Sequence, residues 1–196
     1  MFSIVFPGQG SQKPGMGKEI YDNISETRNL FNKANDILGF NITNLMFEGT
    51  AEDLLQTKVT QPAIFIHSVI SALTSKEFMP QACAGHSLGE YSALVCSDSL
   101  KFEDALYLLH QRGKAMQEAV PVGLGSMVAV LGTKIDIIKE LISLNLNKND
   151  VCEIANDNAE GQVIISGKKE STEQIVKVLK EKKIKSIQLK VSAPFH

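Results

Sequence analysis

Residues 85–89 read Gly-His-Ser-Leu-Gly, and no other stretch constrains the fold of this chain as strongly. Residues 81–84 before it are mostly small and suit a short strand, and residues 87–95 after it have helical spacing. A serine between two glycines at a sharp strand-to-helix turn is the pattern of a nucleophile elbow. The turn forces the central residue into a strained backbone conformation. Side chains two positions to either side would collide, so both are glycine. The Ser87 hydroxyl then stands above a helix N-terminus, where free N–H groups and the dipole favour negative charge. The Leu88 amide, next along the chain, is the natural first donor to a developing oxyanion. The pentapeptide alone also occurs in ordinary loops; its strand–turn–helix context singles it out here.

A serine nucleophile needs a base, and the chain offers His67, His86, His110 and His196. His86 is adjacent, but the turn should point its side chain away from Ser87, which favours a structural or pocket-lining role. His67 and His110 fall inside helical segments and read as satisfied surface or core residues. His196 follows a strand and the break Ser192-Ala193-Pro194-Phe195. Spacing alone leaves it open between a presented general base and a residue at a fraying end. Only two of the 20 basic residues are arginines, Arg28 and Arg112. Arg112 borders the apolar face of helix 102–119, which includes Leu109 and Met116, and an unpaired guanidinium is costly to bury. Its partner is an internal carboxylate, solvent reached by snorkelling, or a substrate carboxylate gripped by both arms of the fork.

The composition narrows the remaining classes. Of the 196 residues 43% are hydrophobic, which excludes intrinsic disorder. The net charge of −2 argues against nucleic acid as a partner. No apolar run is long enough to span a membrane, and the N-terminus lacks the basic region of a targeting segment. Cys83, Cys96 and Cys152 have neither metal-ligand spacing nor even number, so no metal is expected and a reducing cytoplasm fits. The glycine loop 7–12 completes neither G-x-G-x-x-G nor a P-loop. It reads as an ordinary strand-end turn or as a loop lending backbone N–H groups to a site.

Along the chain, residues 1–122 are α/β in character: a strand at 1–6, helices at 19–38 and around 50–55, and a helix with Pro62 in its first turn continuing over 63–78. The elbow and a helix at 102–119 follow. From 123 the pattern becomes strand 126–131, helix 134–144, strands 151–155 and 162–166, helix 170–181 and strand 186–191. That order is the split βαβ arrangement of ferredoxin-like domains. The expected division is 1–122, then 123–190, with 191–196 returning to the first part.

Taken together, residues 6–12, 60–63, 85–94, 112–117, 161–167 and 191–196 resemble, in order, the malonyl-CoA:acyl carrier protein transacylases of type II fatty acid synthesis. They are more distantly similar to the acyltransferase domains of polyketide and animal fatty acid synthases. The resemblance implies an α/β-hydrolase-like large subdomain with a ferredoxin-like small subdomain and a site between them. It implies Ser87 as acyl-accepting nucleophile, His196 as base and acid, and the Gln9 and Leu88 amides as oxyanion hole. Arg112 would clamp the malonyl carboxylate. Gln61, His86, Met116, Asn156, Asn158 and Phe195 would line the pocket, with Phe195 crowding an α-methyl group and so favouring malonyl over methylmalonyl. Malonyl-CoA and the phosphopantetheine of acyl carrier protein would be substrates, with no cofactor, and the protein a cytoplasmic monomer without nucleic-acid or membrane partners.

Members of that family continue well beyond the histidine. A truncated chain is therefore expected, incomplete at the C-terminal end of its large subdomain, lacking the groups that orient His196, exposing an apolar patch and weak in catalysis. Two other readings stay open: a serine hydrolase using the same elbow, against which Arg112 and the glutamine-bearing first loop argue, and a non-catalytic remnant that binds carrier protein or another partner.

Overall fold

A computed structural model describes residues 2–75, 80–121, 123–189, 191 and 193–196. Met1, Phe78, Val122, Lys190 and Ser192, which fall within or bound the segments expected above, lie outside the described residues. The fold is α/β, in two compact units, Met1–Ala115 and Met116–His196. The boundary between them falls inside the last turns of a continuous helix, Phe102–Ala119.

The first unit runs β1 (Ser3–Phe6), α1 (Lys18–Asn23), α2 (Arg28–Leu38), α3 (Ile42–Glu48), α4 (Thr57–Thr74), β2 (Ala82–Gly85), α5 (Gly89–Cys96) and most of α6 (Phe102–Ala119). Its strands pair in parallel, Ser3 opposite Ala82 and Phe6 opposite Gly85. Val5 of β1 is 74% exposed, and Phe2 just before it is exposed as well. The expected single helix at 19–38 is broken at Ile24, where Arg28 folds back. Its Nε donates to the Tyr21 carbonyl at 3.0 Å and an Nη to that of Asp22 at 3.1 Å, closing α1 while α2 begins. Helix α3 had no counterpart in the sequence reading, although Asn41 caps it by accepting from the Asn44 amide. The segment around 50–55 is a 3₁₀ turn with a reciprocal cap: Thr50 N–H donates to the Asp53 carboxylate, and Asp53 N–H to the Thr50 hydroxyl.

Helix α4 corrects the placement of Pro62. The helix starts at Thr57, so the proline is its sixth residue. A proline there has no N–H for the Lys58 carbonyl. That carbonyl lies beside the His110 ring on α6, whose proton affinity it raises. Buried residues lie all around α4, among them Val59, Ile64, Phe65, Ile66, Val69 and Ile70, as expected for a helix enclosed by its unit.

The second unit runs β3 (Gly125–Leu131), α7 (Ile135–Asn145), β4 (Cys152–Ala159), β5 (Gln162–Lys168), α8 (Lys169–Glu181) and β6 (Lys185–Gln188). The four strands form one sheet in the order β4-β5-β3-β6, every neighbouring pair antiparallel. Alternation along β3 sorts the two faces. Val128 and Val130 meet Ile138, Leu141, Ile175 and Leu179 of the helices; Met127 and Ala129 meet Ala193 and Phe195. Strand β4 extends past the expected 155 because two register shifts, between Ile154 and Asn156 and between Asp157 and Ala159, let its polar end keep pairing. Helix α8 ends in a Schellman motif: Ile184 N–H donates to the Leu179 carbonyl, Lys183 N–H to that of Lys180, and Lys183 takes φ 59°. Among the described residues no helix is long and apolar enough to cross a membrane, and no group of three or more His, Cys, Asp or Glu could hold a metal.

Candidate active site

The elbow begins where β2 ends. His86 N–H donates to the Phe6 carbonyl at 3.0 Å, which carries the pairing with β1 into the turn. Ser87 follows with φ 54°, a left-handed conformation that costs a non-glycine residue about 1–2 kcal/mol. Both flanking glycines are required by contact. A Cβ at Gly85 would overlap the backbone of Gly89 and Glu90, and one at Gly89 would overlap the Phe6 and Pro7 carbonyls. Helix α5 starts at Gly89, so Ser87 and Leu88 stand at its N-terminal end.

Arg112 reaches this turn from α6. Helices α4 and α6 approach closely at Gly113, where a Cβ would sit 3.2 Å from the Thr57 carbonyl oxygen. One residue away, the guanidinium meets both α4 and the elbow. One Nη donates to Gln61 Oε1 at 2.8 Å and the other to Ser87 Oγ at 2.9 Å. Gln61 is buried and Arg112 half-buried. Burial pushes the guanidinium pKa down, and Tyr91 and then Glu90 pull it back up. Neither of these hydrogen-bond partners is charged, and among the described residues no carboxylate is hydrogen-bonded to the guanidinium. Tyr91 and Glu90 were not singled out from sequence, yet they lie four and three residues beyond Ser87 on the helix that the elbow starts. A one-turn offset from the nucleophile was the available signal.

The arrangement can do specific chemistry. Ser87 Oγ accepts from Arg112, and a fixed cation beside that oxygen stabilises negative charge developing there. The Gln9 and Leu88 amides enter no hydrogen bond among the described residues. The loop around Gln9 is held by Gly10 N–H donating to Gln12 Oε1 at 2.8 Å and Ser11 Oγ to the Gly8 carbonyl at 3.0 Å. The His86 ring packs against Gly8, where a Cβ would strike it. Cys96 and Cys152 are no rival nucleophiles: burial, ahead of Cys83 and Glu153 respectively, pushes each thiol up to about 11.

The first unit thus brings together Ser87, Arg112 and Gln61, with Leu88 in the same turn and His86 against the glycine loop. Met116, Asn156, Asn158, Phe195 and His196 belong to the second unit. Phe195 is buried in the face made by Met127, Ala129 and Ile164, with its N–H on Met127 Sδ at 3.3 Å. Met116 packs on the same cluster. Asn156 pairs with Ile164 between the two register shifts of β4, and Asn158 lies within the second. His196 is exposed, with φ 57°.

A sequence model of the family described as acyl transferase domain matches residues 3–196. The chain is 42% identical to the malonyl CoA-acyl carrier protein transacylase of Bacillus subtilis, over 99% of this chain and 62% of that protein. It therefore spans about 62% of that curated relative's length. Among solved structures, an acyl carrier protein S-malonyltransferase from Vibrio cholerae superposes with a TM-score of 0.91 at 38% identity, covering 98% of this chain and 64% of that one. A malonyl-transacylase solved in complex with a type II PKS acyl-carrier protein gives 0.91 at 38% identity, covering 98% and 63%.

Proposed function

The chain belongs to the acyl transferase domain family, and from that premise we propose that it carries the machinery for moving a malonyl group from malonyl-CoA to the phosphopantetheine thiol of acyl carrier protein. The observation that carries this reading is Arg112, whose guanidinium is half-buried, bonded to neutral partners and within 2.9 Å of Ser87 Oγ. A cation so placed suits a substrate with a free carboxylate next to the reacting carbonyl.

The reaction runs in two halves. His196 takes the Ser87 proton as Oγ attacks the thioester carbonyl. The tetrahedral oxyanion is held by the Gln9 and Leu88 amides, each such donor contributing about 3 kcal/mol. The C–S bond breaks, CoA leaves as the thiol with the proton from His196, and a malonyl-serine ester remains. The carrier-protein thiol then gives its proton to His196 and attacks that ester, and Ser87 leaves with the proton restored. Acetyl-CoA would leave the Arg112 guanidinium without its anion, which favours the dicarboxylic substrate. Gln61, His86, Met116, Asn156, Asn158 and Phe195 line the pocket in this reading.

The same reading makes the first unit an α/β-hydrolase-like subdomain over 1–122 and the second a ferredoxin-like one over 123–190, with 191–196 carrying the base. The strand order β4-β5-β3-β6 supports the second label. It also makes the protein a cytoplasmic monomer that needs no cofactor. Intact mass after mixing with malonyl-CoA, beside a Ser87→Ala control, tests the central step. An adduct of one malonyl group on the parent and none on the control is expected. A folded parent that acquires no adduct would refute the first half-reaction for this chain.

A further inference from the structure

The first unit holds a cavity of about 430 Å³ whose lining does not include Ser87, Gln61 or Arg112. Its size falls within the range of small-molecule sites. Phe40, Leu45 and Val59 give it an apolar wall. His110 also lines it, nine-tenths buried, with its ring centroid 5.9 Å from that of Phe40. Its Nδ1 is buried and has no partner among the described residues. Leu38, Gln56 and the exposed Lys58 of α4 and Lys114 of α6 also line it, and neither lysine enters a salt bridge among the described residues. The one acid on the lining, Asp53, has its carboxylate committed to the Thr50 amide and hydroxyl at 2.9 and 2.8 Å.

We propose that this cavity binds a small amphipathic monocarboxylate, its aliphatic body against Phe40, Leu45 and Val59 and its carboxylate between Lys58 and Lys114. The charges argue for a monoanion. Two ammoniums against one carboxylate leave a single positive charge to neutralise, where a phosphate dianion would overshoot. The apolar wall argues for an aliphatic body, since a bare anion would leave it exposed to water. His110 reports the event. Burial, then Lys114, depress its proton affinity; the Lys58 carbonyl raises it, and the Lys58 ammonium lowers it again. Asp53 is the remaining ionisable group on the lining, and its hydrogen bonds to Thr50 keep it ionised. An anion seated between the lysines offsets the cationic field, so the imidazole pKa rises on binding.

The test titrates the protein with octanoate, following binding by calorimetry and the His110 ring by NMR, with octan-1-ol and acetate as comparators. Saturable one-to-one binding of octanoate is expected, at least tenfold tighter than either comparator, with His110 titrating at higher pH in the complex. The double variant K58M/K114M keeps both aliphatic stems and should weaken octanoate at least tenfold. The comparison on the parent protein stands even if that variant does not fold. No saturable octanoate binding, equal binding of octan-1-ol, or unchanged affinity in a folded K58M/K114M protein would each overturn the proposal.

Discussion

The first unit wraps apolar side chains around one enclosed helix and presses backbones together through glycines. The second lays a four-stranded sheet between two helices on one face and a chain segment on the other. In the first, Gly85, Gly89 and Gly113 have no room for a Cβ without displacing backbone. In the second, most of the core is an alternation of Val, Ile and Met along β3 and β5, whose volumes can be exchanged within limits. Gly167 of the second unit is equally tight against the Val151 and Cys152 backbone, so close backbone is not confined to the first unit; in the first it frames the turn where a hydroxyl and a guanidinium meet at 2.9 Å.

The largest expected effect is Gly85→Ala. The methyl group would overlap the Gly89 backbone, for a loss of about 3 kcal/mol and a fall in melting temperature of roughly 10 °C. Ile165→Val, at a fully buried position of the second unit, should cost only about 1 kcal/mol. Thermal melts of the two variants that came out in the reverse order would break the contrast.

Next is Arg112→Ala. Under the proposed function it should lower malonyl transfer and shift the malonyl:acetyl preference at least tenfold, about 1.4 kcal/mol, in favour of acetyl. Competition assays with the two thioesters measure this directly, and an unchanged ratio would remove the clamp role.

A smaller pair compares the same backbone strain in both units. Ser87→Gly and Lys183→Gly each relieve a left-handed conformation and should each raise stability by about 1 kcal/mol in urea denaturation. Only the first should abolish acylation.

The smallest effect is local. Pro62→Ala restores an N–H to α4 that can take the Lys58 carbonyl, which now raises the proton affinity of the His110 ring beside it. With that carbonyl engaged within the helix, the His110 titration should move to lower pH in an NMR pH series.

Much of this was legible from residue order. The extent of α6, 102–119, was read to the residue from its apolar spacing, and the strand–helix order of the second unit followed from changes of period. The misses have physical causes. Helix α3 has seven residues, too short to display a periodicity, and only its Asn41 cap marked it. Pro62 was placed in a first turn because its fixed φ and missing N–H suit that position, and the true start at Thr57 carries no side-chain cap to mark it. The break between α1 and α2 is made by the Arg28 side chain rather than by a glycine or proline, so the pattern 19–38 looked continuous. At the site, Ser87 was found by a local motif. The partners of Arg112 lie 25 and 51 residues away in the chain, and no local pattern reveals such a meeting.

The grip of Arg112 on Ser87 has a consequence for spacing under the proposed reaction. Its two hydrogen bonds use two of the five N–H groups of the guanidinium. A carboxylate can therefore join the fork while Gln61 and Ser87 still hold it in place. The same cation would then steady the nucleophile and seat the acidic end of the incoming acyl group. It would act as a ruler, and a donor whose acid group sits too near or too far from its thioester would find no such seat.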